Sequence, residues 1–498
     1  MKLHQALLQL GLTQAALATP TTSLYNRNTN TSGIQWGACG FEGTLPIECS
    51  TLSVPLDYTE PDSDKTLNLS LIKVAAQKTP SKGSILFNFG GPGYEAVHTM
   101  AKLAEALQVM SGGEHDLIAF DPRGTGETIP YSCYDSPADR ELATYKNPIT
   151  LSDFTDNAYG ALWANAKVMA NTCGETTNDT GSLIGTSFVA RDMMQIVDAL
   201  DEDGLLRFWG AVAAAMFPDR IDRMVLDGVV NSHRYFHGYG IDTNQLLAAD
   251  DAFRAILADC IEAGDRCALS QVNSTAIELE TTLRLLAEDF LRAPLAVNDT
   301  VIDYELVFTL YFLVIKYPTD VPNAASLINN LLHRENLTAV TEYYKTLNAG
   351  IAVGGEGLQG IKCSDAFPRT DDMADVMPEI EYMKETSNLF WPTTVSYPML
   401  CAQWPFEAKE RYSGDFNVKT RTPLLFIGNT YDPATPAASA RNMSASFEGS
   451  GMLERNGYGH ASIAQASECT NKVLQAYFAD ATLPEEGTIC EVDTALFP

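Results

Sequence analysis

Ser84-Ile85-Leu86-Phe87-Asn88-Phe89-Gly90-Gly91-Pro92-Gly93 is an apolar run that stops on glycines. A central parallel strand looks like this at its carboxyl end, because both its faces are covered and the chain must then turn sharply. The pattern recurs along the chain. Residues 116–120 (Asp-Leu-Ile-Ala-Phe) lead into Asp121-Pro122-Arg123-Gly124, residues 223–226 into Asp227-Gly228, and residues 423–427 into Gly428. Helical periodicity separates these runs, most clearly at 101–110 and 190–200. Strands alternating with helices predict an α/β fold with a mostly parallel sheet. Ahead of them, 52–56 and 67–74 read as β-strands, the second with one exposed face.

Between 232 and 405 the strand signals stop and helical periodicity takes over, at 246–262, 275–293, 307–316 and 324–347. The strand pattern resumes only near Thr422, so this stretch is expected to be a helical insertion in one sheet. An insertion at the carboxyl edge would cover the place where such sheets bind ligands. The expected organisation is a leader over 1–18, a core in two parts (19–231 and 406–498) and a lid over 232–405.

The chain has 498 residues, 45% of them hydrophobic, which excludes disorder and coiled coil. Lys and Arg number 33 against 63 Asp and Glu, giving a net charge of −30. That balance argues against nucleic acid as a partner, since phosphate binding needs concentrated positive charge. The first eighteen residues read as an export signal: Lys2, an apolar stretch, then Ala16-Leu17-Ala18 as a small-x-small cleavage site. Asn-x-Ser/Thr acceptors at Asn30, Asn68, Asn178, Asn273, Asn298, Asn336 and Asn442 fit passage through a secretory compartment. So do ten cysteines, several of them locally spaced: Cys39 with Cys49, Cys260 with Cys267, Cys469 with Cys490. No later run approaches the length of about 20 apolar residues that a membrane helix requires. The expected product is a secreted glycoprotein with disulfides and no membrane span.

Two residues stand where chemistry is expected. Asp432 follows the strand ending at Gly428, in Asn429-Thr430-Tyr431-Asp432-Pro433-Ala434-Thr435, and His460 lies in Gly457-Tyr458-Gly459-His460, just after the β-like stretch 452–455. A carboxylate at one strand end and a histidine past the next can meet at a sheet's edge, where the acid fixes the imidazole tautomer and supports its charge. The Gly90–Gly93 turn allows close backbone approach to a substrate oxygen, and the Gly91 N–H could face an oxyanion. Lid acids Asp242, Asp250 and Asp251 could anchor a substrate ammonium, with a solvated helix face as the plainer expectation for each.

These pieces resemble the secreted α/β-hydrolases of the tripeptidyl aminopeptidase and prolyl aminopeptidase type. The resemblance runs through Phe87-Asn88-Phe89-Gly90-Gly91-Pro92-Gly93, Asp121-Pro122-Arg123-Gly124-Thr125-Gly126, Val189-Ala190-Arg191-Asp192, residues 217–228 and the Asp432 and His460 segments, and includes a C-terminal region over 401–490. It implies an acyl-enzyme mechanism without metal or cofactor, acting on a peptide or small acyl substrate and releasing short peptides or single residues from a free amino terminus. Asp432 would orient His460, His460 would act as general base and then acid, and the Gly91 N–H would donate to the oxyanion.

The family's nucleophile sits on a Gly-x-Ser-x-Gly elbow, usually Trp-Gly-x-Ser-Tyr-Gly. Here Trp209-Gly210 is followed by Ala211-Val212-Ala213-Ala214-Ala215-Met216-Phe217-Pro218, with no serine, threonine or cysteine, and no Gly-x-Ser-x-Gly occurs elsewhere. Ser187 precedes the Val-Ala-Arg-Asp segment but lacks an elbow. A parallel crossover needs about a dozen residues, helix included, and the stretch 211–222 barely supplies them. Either the chain is a degenerate hydrolase or its coding sequence has lost a short in-frame piece. Retention of the Asp, the His and the glycine turn favours the second. Ester or lactone hydrolysis is the enzymatic alternative. A ligand-binding protein without turnover is the alternative of another class.

Overall fold

The computed structural model describes residues 33–41, 44–147, 151, 155, 157–210, 214–351 and 356–498. The expected leader, Asn30 and residues 211–213 lie outside them. Ten strands make one sheet in the order β1-β2-β3-β5-β4-β6-β7-β10-β11-β12. They are β1 (Gly37–Ala38), β2 (Ile47–Pro55), β3 (Thr66–Val74), β4 (Ser84–Phe87), β5 (Asp116–Phe120), β6 (Leu206–Gly210), β7 (Ile221–Asp227), β10 (Leu425–Tyr431), β11 (Gly451–Tyr458) and β12 (Ile489–Glu491). From β5 onward every pairing is parallel, and β1, β2 and β3 add an antiparallel edge.

Strand residues alternate between two cores, as a pleated sheet covered on both faces requires. Leu86, Ile118, Phe120, Phe208, Met224, Leu226 and Phe426 face one core, with the helices Ala158–Thr176 and Thr186–Leu200. Ile85, Phe87, Leu117, Trp209, Val225, Leu425 and Ile427 face the other, with the helices Ala96–Met110 and Glu468–Asp480. The motif Asp121-Pro122-Arg123-Gly124 has a structural job. Asp121 accepts hydrogen bonds from Ala96 N (2.8 Å) and Val97 N (3.0 Å), holding the start of the helix that follows the glycine turn. Arg123 pairs with Asp192 at 2.7 Å with both side chains wholly buried, and Tyr58 donates to the same carboxylate at 2.7 Å.

No strand from 232–405 enters the main sheet among the described residues. The stretch is not purely helical, since β8 (Leu295–Val297) and β9 (Thr300–Ile302) form a small hairpin. The periodic stretch 324–347 is two helices, Val321–His333 and Leu337–Ile351, broken where Arg334 (φ 56°) and Asn336 (φ 41°) turn left-handed. Periodicity survives such a break because both helices bury one apolar face. Helices from Ala249–Ala263 to Val321–His333 surround a core of their own. Gly357–Asp365, Met377–Thr386 and Ser396–Ala402 instead pack into the sheet's first core through Ile361, Ile380 and Met399. All ten cysteines are paired. The three local pairs form, and Cys133–Cys173 and Cys363–Cys401 complete the set.

Candidate active site

The sheet order places β4, β6, β7, β10 and β11 side by side and parallel, so the residues just past each carboxyl end gather along one edge. Asp432 directly follows β10 and is 1% exposed. Its Oδ1 accepts from Ala434 N (2.9 Å) and Thr435 N (2.8 Å), and its Oδ2 from Thr435 Oγ1 (2.8 Å) and Ala461 N (2.9 Å). Both oxygens lie 3.2 Å from His460 Nδ1. Burial works to raise the pKa of this carboxyl, but the charge and hydrogen bond of His460, with the backbone donors, outweigh it and hold the group below the usual carboxylate range. With Nδ1 engaged by the acid, Nε2 is the nitrogen left to move a proton.

The histidine loop is fixed from several sides. Asn429 on β10 donates to Gly459 O (3.0 Å) and Ala461 O (2.7 Å), the carbonyls on either side of His460. Arg455, fully buried on β11, donates to Asn429 Oδ1 at 2.8 Å and orients that amide. Gly228, just past β7, makes room for the ring: a Cβ there would lie 3.3 Å from His460 Cε1. Gly459 (φ 82°) packs so tightly that a Cβ would run into Pro318 and lie 3.0 Å from Lys316 O.

The glycine turn follows β4. Asn88 Oδ1 accepts from Gly90 N at 2.8 Å and Asn88 N donates to Trp209 O at 3.2 Å, tying the turn to β6. Gly90, Gly91 and Gly93 all have positive φ, and a Cβ on Gly93 would sit 2.5 Å from Leu358 N. Gly210 ends β6 beside this turn, its notional Cβ 2.6 Å from Asn88 O.

Gly210, Gly91, Asp432 and His460 thus converge on one edge. The position just after Gly210, where a nucleophile is expected, lies outside the described residues. Among the described residues, β6 and β7 are joined through a turn and the 3-10 segment Pro218–Arg220, with no α-helix. On that face Ala214, Ala215, Leu226, Val229, Phe426, Met443 and Phe447 line a small apolar pocket, all of them buried but Ala215.

The other candidates are placed differently. Ser187 is buried in the first turn of Thr186–Leu200, 3% exposed, beside Thr186, whose N–H bonds Asp365 at 2.8 Å. Asp242 is not on a solvated face: it is buried against Lys362 at 2.6 Å. Asp250 accepts from Ser387 Oγ, Asn388 N (2.7 Å) and Leu389 N (3.3 Å), a loop-holding role. Asp251 is exposed, 3.6 Å from Arg254. Thr435, Asn429 and Arg455 went unnoticed in the sequence. Thr435, three residues after Asp432, carried the only local signal, as a hydroxyl positioned to bond that carboxylate.

The sheet, its strand order and the acid–histidine pair define an α/β-hydrolase fold. Residues 387–490 match the family described as TAP-like protein. The chain is 26% identical over 472 residues to the tripeptidyl aminopeptidase of Streptomyces lividans, covering 90% of this chain and 84% of that protein. It is 25% identical over 475 residues to the serine protease Hip1 of Mycobacterium tuberculosis, covering 89% and 87%. A serine hydrolase structure from Cycloclasticus zankles aligns over 86% of this chain and 98% of its own, at 13% identity and a TM-score of 0.34. The chain is therefore similar over nearly all its length to the tripeptidyl aminopeptidase type of α/β-hydrolase, and its relatives point to a hydrolase of peptidase kind.

Proposed function

We propose that this is a secreted serine peptidase that releases short peptides or single residues from free amino termini through an acyl-enzyme, and that the chain in its present form lacks the nucleophile. Asp432 orients His460, which takes the nucleophile's proton and returns it to the leaving amine. The Gly91 N–H donates to the oxyanion, and the stretch 232–405 acts as the lid. No metal or cofactor is called for. The observation that carries the reading is the buried, fully hydrogen-bonded Asp432 held 3.2 Å from His460 Nδ1. It is a geometry suited to a general base. The β6–β7 connection, without an α-helix among the described residues, supports a missing elbow and helix.

A fluorophosphonate probe tests this. The 498-residue chain should not label and should turn over peptides at most about 10³–10⁴-fold faster than water, the residue left by a triad without its nucleophile. A working enzyme reaches about 10⁶-fold or more. Inserting Phe-Ser-Tyr-Gly and the absent helix turns after Gly210 should restore labelling and turnover, and His460→Ala should abolish both again. Robust turnover by the unrepaired chain, lost on Ser187→Ala, would overturn the assignment.

A further inference from the structure

Two lysines from the 232–405 stretch lie on helices that pack against the glycine turn and the histidine loop. Lys316 ends the helix Tyr304–Lys316, and its carbonyl packs against Gly459, the neighbour of His460. Lys362 lies on the helix Gly357–Asp365, whose first turn packs against Gly93 of the glycine turn. The two helices therefore rest on opposite flanks of the centre, one on the histidine loop and one on the oxyanion turn. Their ammonium groups are within electrostatic reach of one another, and Lys316 is within reach of Tyr94, which follows the glycine turn, and of Tyr397.

The two cations differ in compensation. Lys362 is 7% exposed, pairs with Asp242 at 2.6 Å and stands 4.7 Å from the centre of the Tyr397 ring. Half-buried Lys316 hydrogen-bonds the side chain of Tyr317, has the rings of Tyr317 at 5.5 Å and Phe312 at 6.0 Å, and pairs with no carboxylate among the described residues. Asp242 is taken by Lys362, so Lys316 has no carboxylate of its own. A partly desolvated cation without a counter-ion is costly, and a ligand carboxylate would relieve it. The same charge disfavours an ammonium at this spot, so a substrate's free amino terminus would lie elsewhere in the site.

We propose that Lys316, backed by the Lys362–Asp242 pair, recognises a carboxylate carried by the peptide substrate. This rests on the peptidase reading above and adds the substrate's charge. The carboxylate could be an acidic side chain or a terminal α-carboxylate, and three tripeptides separate these sources. Calorimetric titration of the full chain would compare Ala-Ala-Glu-NH₂, Ala-Ala-Ala-OH and Ala-Ala-Gln-NH₂. One or both acids should bind about tenfold or more tighter than the uncharged peptide, the range of a hydrogen bond to a charged group. Which acid gains identifies the source. Lys316→Met should erase the preference and Lys316→Arg should keep it, with thermal unfolding confirming that both variants fold. Equal binding of all three peptides, no binding of either acid, or a preference that survives Lys316→Met would overturn the proposal. Hydrolysis separates the two readings: a repaired chain that cleaves substrates with Glu and Gln equally refutes carboxylate recognition alone, whereas a chain that binds acids selectively but never cleaves after repair refutes the peptidase reading alone.

Discussion

Asp432 stays ionised in near-complete burial because every face of its carboxylate is occupied by a donor. Its folded pKa is depressed, so the stability it contributes is present above the unfolded value of about 3.9 and is lost as pH falls through the folded value. Asp432→Asn should therefore cost about 1–3 kcal/mol near neutral pH by leaving backbone donors poorly met. That difference should shrink as pH falls below the unfolded value and through the depressed folded one, as read from urea midpoints of both proteins across pH 2–7. In the elbow-restored chain the same change should lower kcat about 10⁴-fold through the wrong imidazole tautomer. Asp432 and His460 were legible through their joint placement, a carboxylate and a histidine just past successive strand ends. Thr435, Asn429 and Arg455 were not, because hydrogen-bond support depends on which atoms meet across strands and leaves no spacing rule in the chain.

At the scale of elements, the β6–β7 connection and the histidine loop decide whether the site works. Among the described residues the β6–β7 connection carries no α-helix. Gly459 joins the loop to the end of Tyr304–Lys316. Gly459→Ala combines a positive φ with a collision against Pro318, and should cost about 1–3 kcal/mol while displacing His460. Its checks are thermal unfolding and, in the repaired chain, a fall in kcat. Strands were readable from apolar runs closed by glycine or aspartate. The break at Arg334–Asn336 and the hairpin of β8 and β9 were not, since short turns with no glycine or proline carry little local signal.

For the whole molecule, five disulfides account for all ten cysteines, and Asn68, Asn178, Asn298, Asn336 and Asn442 are exposed, with Asn273 partly so. No helix among the described residues is long and apolar enough to cross a membrane. The export proposal predicts a mature chain beginning at Thr19, with no thiol reactive before reduction and glycans on some of the exposed acceptors. Intact mass and peptide mapping of protein from the medium and from cells would test it. A cytosolic chain with Met1 retained and free thiols would refute export.

The alternation of main-sheet strands with helices, the edge on which chemistry is expected and the absence of a serine just after Gly210 were readable in the sequence alone. Each is written in local pattern: apolar period, glycine position and the side chains present. Only the tertiary structure decided that the stretch 232–405 splits between a core of its own and the core of the sheet, that Asp242 is taken by Lys362, and that Lys316 pairs with no carboxylate among the described residues. These depend on contacts between residues far apart in the chain. Burial and charge balance arise only when such distant groups are brought together, and no window of sequence contains them.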